Sequence, residues 1–446
     1  MRCFALLLFL TVLCDRAWAE SAVIVEAATD RDYYPVDARH QIYTEIRLSG
    51  ANLPATAEAP ATVRNVALVL DRSGSMAGAR MQALHEGVTA ALALLGDQDF
   101  VSVVLFGSEV ETIVEARPRR EVTTLDALLA QVEPVGGSAL YDALNQGAAQ
   151  LRRHAGPQTS NHLLLVTDGP PTKGPRELAD FTRLAAVLAE EHIILSTVGI
   201  GDEFNEDMLA ALARAGNGHF RYVAQPAALP EALQGELVVP GALQARDVKL
   251  TIEILSDCKE IESFGWVPGV IKDQTVTYQV PFLFAGQKIT LLLGTEMEPR
   301  RGRYRFMKLH TTWTGGADGQ SYQRESVLEV RLDFPASSSA AAKSANPAVV
   351  RTAVNAVISD GLQKAIEWID KGDFKRALRE LRRARSEANG LNYSVEDPEA
   401  QAGIRRLDSY LAEVQARGLN QLDRKVLRSG LNNQFSIPVA EDLPES

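Results

Sequence analysis

Cysteine is almost absent. Of three cysteines in 446 residues, Cys3 and Cys14 fall in an N-terminal stretch that reads as removable, leaving Cys258 as the one thiol of the mature chain. A single thiol excludes an internal disulfide and any zinc cage built on cysteine, so stability must come from packed cores. Long apolar runs are missing as well. The run Cys3 to Cys14 is well short of the roughly 20 residues that a membrane-spanning helix needs. With Met1-Arg2 before it and Ala17-Trp18-Ala19 before Glu20, it has the three parts of a cleaved secretory signal, expected over residues 1–19. A lipoprotein signal would need a small residue before Cys14, where Leu13 stands.

Positive charge is in short supply. Lys and Arg number 46 against 57 Asp and Glu, and loss of the first 19 residues deepens the formal charge from −11 to about −12. An acidic surface repels phosphate backbones, which argues against a nucleic-acid partner. Two catalytic signatures are also absent. There is no Gly-x-Ser-x-Gly for a nucleophilic serine and no Gly-x-x-x-x-Gly-Lys-Ser/Thr phosphate loop. His85, His154, His162 and His192 fall in helical patterns or at strand edges, where a surface or hydrogen-bonded histidine is commoner than a catalytic one. The expectation is a protein that is not an enzyme.

What is present is a pattern of oxygen ligands at strand ends. Asn65-Val-Ala-Leu-Val-Leu-Asp71-Arg-Ser73-Gly-Ser75-Met76 begins as an unbroken apolar run, the mark of a strand buried on both faces of a parallel sheet. It ends in one carboxylate and two hydroxyls around Gly74. Gly136-Gly137-Ser138-Ala-Leu-Tyr-Asp142 adds a hydroxyl before a helix, and Leu163-Leu-Leu-Val-Thr167-Asp168-Gly169 closes a second buried strand in a carboxylate. Carboxyl ends of strands in an open α/β sheet are where ligands bind, and hard oxygens suit Mg²⁺ or a similar cation. The plainer alternative is that Asp71 and Ser73 cap the helix that follows.

This three-part pattern resembles the metal-ion-dependent adhesion site of von Willebrand factor type A domains, over roughly residues 62–226. The resemblance implies a divalent cation, Mg²⁺ before Ca²⁺ or Mn²⁺, held by Asp71, Ser73, Ser75, Ser138 and Asp168. It also implies a protein partner whose Asp or Glu completes the coordination. The family's usual Thr is Ser138 here, which keeps the hydroxyl but loses the β-branch that restricts its rotamer. Asp142 is expected to support or cap rather than to coordinate. Together these readings describe a secreted protein, placed in a bacterial periplasm, that binds its partner through the cation. The competing class is an assembly subunit of an envelope complex with a vestigial metal site.

The rest of the chain divides by period. Strands and helices alternate from Asn65 to Val223, with helices expected over 78–95, 123–132, 140–153, 176–191 and 206–215. Such alternation implies a doubly wound, mostly parallel sheet in the domain 62–237. Period-two strands without helices mark an antiparallel β-sandwich over 238–334, to which two strands in 20–61 are assigned because an isolated hairpin is marginal. The α/β domain is then an insertion into the sandwich. A Pro, Ser and Ala linker over 335–347 leads to a small α-helical domain over 348–436. Ala365 to Leu378 resembles one tetratricopeptide hairpin, but no second copy follows, so a simple bundle is expected.

Overall fold

The computed structural model describes residues 22–35, 39–51, 63–156, 159–237, 243–255, 258–265, 267, 269–298, 302–315, 321–324, 330–334, 344–393 and 395–416. The expected signal, the Pro and Ala run 53–61, residues 335–343 of the expected linker and a helix expected near 419–428 lie outside them. The chain forms two compact units. One takes the described residues of Met1–Leu53 and Gln244–Leu427, and the other those of Pro54–Leu243.

The second unit is built on a six-stranded sheet. Its strands are β3 (Val63–Asp71), β4 (Phe100–Phe106), β5 (Val110–Pro118), β6 (Thr159–Thr167), β7 (Ile193–Ile200) and β8 (Asn217–Val223), in the order β5-β4-β3-β6-β7-β8. Only the edge strand β5 runs antiparallel to its neighbour. Helices α1 (Ala79–Leu92), α2 (Leu125–Leu129), α3 (Leu140–Arg152), α4 (Leu178–Glu190), α5 (Glu206–Ala215) and α6 (Leu229–Leu237) cover the faces. Val66, Leu68 and Leu70 of β3 share one core with Leu84 and Val88 of α1 and Leu233 of α6. Between them Val69 points the other way and meets α3, where a Cβ on Gly147 would lie 2.6 Å from Val69 Cγ2. Two covered faces are what an uninterrupted apolar strand needs.

The helix expected over 123–132 is shorter than its pattern. Regular α-helix stops at Leu129, and Gln131 and Val132 continue on tighter bonds to Leu128 and Leu129. Chain connections run outward from β3 toward β4 on one side and toward β6 on the other. The carboxyl ends of β3 and β6 therefore flank the point where the winding reverses.

The first unit is antiparallel. One sheet has the order β1-β2-β13-β10, from β1 (Val23–Thr29), β2 (His40–Gly50), β10 (Cys258–Phe264) and β13 (Lys288–Met297). The other runs β11-β12-β9-β14-β15, from β9 (Leu243–Ile254), β11 (Val270–Lys272), β12 (Thr275–Phe284), β14 (Gly302–Gly315) and β15 (Ser321–Arg324), with β16 (Val330–Phe334) also on β14. Ile46, Leu48 and Leu291 of the first sheet share a core with Leu250, Ile252 and Tyr278 of the second. The strand expected at 41–48 is β2, paired with β1 and β13. Strands β10 and β11 were not legible in sequence: β10 is half-exposed and carries a register shift, and β11 is three exposed residues.

Three helices complete this unit: α7 (Pro347–Asp370), α8 (Phe374–Asn392) and α9 (Pro398–Ala416). The last residues of the expected linker are ordered, because Asn346 N–H donates to Asp30 O at 2.8 Å and Ala345 bridges Arg31. Gly372, at φ +75°, turns the chain between α7 and α8, and Asp373 caps α8 by accepting from Arg376 N–H at 3.0 Å. Along Arg379–Arg385, Leu381 and Ala384 are buried while Arg379, Arg382, Arg383 and Arg385 are exposed, the solvated face of a packed helix. No helix among the described residues is long and apolar enough to cross a membrane.

Candidate metal centre

The site grows from the end of β3. Asp71 is fully buried and each of its oxygens has a partner: Oδ1 accepts from Ser73 N–H at 2.7 Å and Oδ2 from Thr167 Oγ1 at 2.5 Å. The Ser73 and Ser75 hydroxyls lie 3.1 Å apart, and Ser75 Oγ donates to Asp168 Oδ1 at 2.7 Å. One hydrogen-bonded set of oxygens thus runs from β3 through the Ser73–Ser75 turn to the residue after β6. The helix-capping alternative does not describe these residues. Ser73 precedes a short 3-10 turn, Gly74–Met76, without capping it by its side chain, and α1 starts only after Gly78.

Ser138 stands on a neighbouring loop that lies against this turn. Val135 N–H donates to Arg72 O at 2.8 Å and Gly74 N–H to Gly136 O at 3.2 Å, which lays the Gly-Gly segment against the Ser73–Ser75 turn. Glycine is required on that segment. Gly136 sits at φ +81°, and a Cβ on Gly137 would stand 2.3 Å from Thr172 Oγ1. Thr172 Oγ1 accepts from Ser138 N–H at 2.7 Å, and Ser138 O accepts from Thr172 and Lys173 N–H. The Ser138 backbone is therefore pinned, while its Oγ is buried with no hydrogen-bond partner. A buried hydroxyl without a partner costs about 1–3 kcal/mol, so this atom fits a site that expects a ligand.

The electrostatics agree with a cation site. Burial pushes the Asp71 carboxyl up to about 6; hydrogen bonds from Thr167 and Ser73 pull it down, and the charge of Asp168 adds to the rise. Two buried carboxylates beside hydroxyls make a hard-oxygen donor set suited to Mg²⁺, Ca²⁺ or Mn²⁺ and poorly suited to softer ions. Among the described residues no three His, Cys, Asp or Glu gather into a group that could hold a metal ion, so a cation here would have to draw its other ligands from hydroxyls. Asp142 is exposed in the first turn of α3 and takes no part in this hydrogen-bonded set.

Sequence reasoning assigned no role to three residues that build the site. Thr167 stands next to Asp168 at the end of a strand, a visible position whose bond to Asp71 needs the β3-β6 pairing to be known. Thr172 and Arg80 carry no local signal at all. Arg80 Nη1 donates to Asp168 Oδ2 at 2.6 Å and to Ser75 O at 3.0 Å.

Residues 64–222 match the family model described as von Willebrand factor type A domain. The chain carries a von Willebrand factor type A domain. An uncharacterised protein of Synechocystis is 26% identical over 162 residues, which is 36% of this chain and 38% of that protein. Human inter-alpha-trypsin inhibitor heavy chain H2 is 26% identical over 164 residues, 35% of this chain and 17% of its own length. The chain therefore matches less than half of these relatives' lengths. Among solved structures, a von Willebrand factor type A protein of Catenulispora acidiphila superimposes with a TM-score of 0.68 at 16% identity, over 94% of this chain and 98% of that one. The ArnB paralogue VWA2 of Sulfolobus acidocaldarius gives 0.60 at 16% identity, over 93% and 98%. At such identity these two speak for the fold: a mostly parallel sheet flanked by helices, with additional antiparallel sheets and C-terminal helices.

Proposed function

We propose that the type A domain holds one divalent cation, Mg²⁺ before Ca²⁺ or Mn²⁺, and binds an acidic side chain of a protein partner through it. Type A domains commonly mediate protein–protein interaction and adhesion, and are typically not enzymes. The observation that carries the reading is the buried, unpartnered Ser138 Oγ on a loop laid against the Asp71, Ser73, Ser75 and Asp168 cluster. Asp71 and Asp168 supply the negative charge, and Ser73, Ser75 and Ser138 supply neutral oxygens. A cation bound there keeps excess positive charge and attracts a carboxylate from outside. Ser75 is exposed and Val135, on the adjoining loop, is 58% exposed, so a partner meets the site beside an apolar contact. We place the protein outside the cytoplasm, in a bacterial periplasm, from the leader-like first 19 residues.

Calorimetric titration with Mg²⁺ and Mn²⁺ tests the site. One ion per chain is expected for the wild type and none for Asp71→Ala, and a wild type that binds neither ion at millimolar concentration refutes the reading. A second reading, an assembly subunit with a vestigial site, has one observation in its favour: Arg80 already neutralises Asp168. It calls for partner capture that survives both a chelator and Asp71→Ala.

A further inference from the structure

We propose that Arg80 is a built-in counter-ion of this site, which holds its cation affinity down and leaves a bound ion short of negative charge until an acidic partner arrives. The inference rests on the metal reading above. Asp168 is fully buried and its two oxygens serve different neighbours: Oδ1 accepts from Ser75 Oγ at 2.7 Å, and Oδ2 accepts from Arg80 Nη1 at 2.6 Å. The same nitrogen donates to Ser75 O at 3.0 Å. The guanidinium also lies in a cradle. Gly201, just past β7 at φ +70°, has no side chain there, and a Cβ would come within 2.8 Å of Arg80 Nη2. Arg80 is thus fixed between α1, the Ser73–Ser75 turn and the ends of β6 and β7, with a side chain only 27% exposed.

The charge balance gives this placement its consequence. Asp71 and Asp168 bring two negative charges, and Arg80 cancels one. A divalent cation on the remaining single charge leaves one net positive charge for a partner's carboxylate to neutralise. Without Arg80 the two carboxylates would neutralise the ion themselves and the attraction for an outside carboxylate would fall. Cation and acidic partner are then coupled, and by linkage each raises the affinity for the other. One unit charge a few ångströms away in a partly solvated site changes cation affinity about tenfold. The opposite expectation follows if Arg80 merely props Asp168 in place, because its loss would loosen the carboxylate and weaken cation binding.

The sign of the change decides. Mn²⁺ is titrated calorimetrically into the full chain as wild type, Arg80→Met, Arg80→Gln and Arg80→Lys, with chelator-treated melts confirming that each is folded. Arg80→Met should bind Mn²⁺ about tenfold more tightly than wild type, Arg80→Lys within a factor of about two, and the gain should shrink as salt is added. Arg80→Gln keeps a hydrogen-bond donor without charge and should also tighten binding, which covers a failure of Arg80→Met to fold. A wild type that binds Mn²⁺ while both uncharged variants bind it equally or more weakly overturns the proposal and leaves the metal centre standing. No binding by any of the four overturns both.

Discussion

His162 shows what burial does to a single side chain in this fold. It lies on β6, buried, with Nε2 2.9 Å from Ser196 Oγ. Ser196 Oγ accepts from His219 N–H at 3.1 Å, so its own proton is free to go to the imidazole and the ring is held neutral. Burial pushes the His162 pKa down to about 4; the charge of Glu236 pulls it up and that of His219 adds to the fall. Burial alone would raise Glu236, but His219 and Arg221, which both donate to it, hold it well below the usual carboxylate range. The unfolded chain, with an ordinary histidine near 6.5, binds more protons than the folded chain between pH 6.5 and 4. Stability present above pH 6.5 is therefore lost as pH falls toward 4, to the extent of about 3 kcal/mol from this group at 1.36 kcal/mol per unit of pKa. Asp71 acts in the opposite sense, since its raised carboxyl takes up a proton on folding as pH falls through about 6. Because Asp71 is common to both proteins, comparing His162→Gln with wild type isolates the histidine. Urea unfolding at pH 7, 5.5 and 4.5 should show a shallower acid decline in the variant, and parallel declines would contradict this account.

At the scale of elements, two glycines in the helical bundle make opposite predictions. On α7, a Cβ at Gly361 would stand 2.4 Å from Ala384 Cβ of α8, an atom fixed to its backbone and unable to rotate away. On α8, a Cβ at Gly390 would meet nothing within 4 Å. Alanine in a helix is favoured over glycine by about 1 kcal/mol, whereas forcing a methyl group into a packed crossing costs about 1–3 kcal/mol. Gly390→Ala should therefore raise the melting temperature slightly, and Gly361→Ala should lower it despite the same gain in propensity. Calorimetric melts of the two variants distinguish the effects. A Gly361→Ala protein as stable as wild type would mean that α7 and α8 can part at no cost.

On the scale of the whole molecule, the two units differ in how they draw on the chain. Residues 63–237 supply β3 to β8 and their helices from one continuous stretch, with a core of their own around Leu68, Val103 and Leu164. The sandwich instead needs β1 and β2 from before that stretch, and β2 is an interior strand of its sheet. A fragment spanning 54–243 is expected to fold and melt cooperatively by circular dichroism. A chain beginning at residue 54 should keep that transition and lose a second one, because β13 is left with an open edge and Ile42, Ile46 and Leu48 are gone from the core. A truncated chain that keeps both transitions would overturn this division. A cation at the proposed site should matter little to folding, since Asp71, Ser73 and Ser75 stand at a strand end while Val66 to Leu70 make the packing.

The sequence by itself determined whatever depends on local period and residue type. The unbroken run 66–70 could only be a strand covered on both faces, the alternation at 41–48 only a strand of an antiparallel sheet, and Asp71, Ser73, Ser75, Ser138 and Asp168 were visible as oxygens at the ends of such elements. Tertiary structure alone decided what those oxygens do to one another. Thr167 meets Asp71, Thr172 pins Ser138 and Arg80 neutralises Asp168 across separations of 34 to 96 positions in the chain. No window of sequence contains such pairs, because the sheet order β4-β3-β6-β7 creates their proximity. The same reason hid β10 and β11: each is too exposed to carry an apolar period, and each is a strand only because a neighbour offers it a ladder of backbone partners.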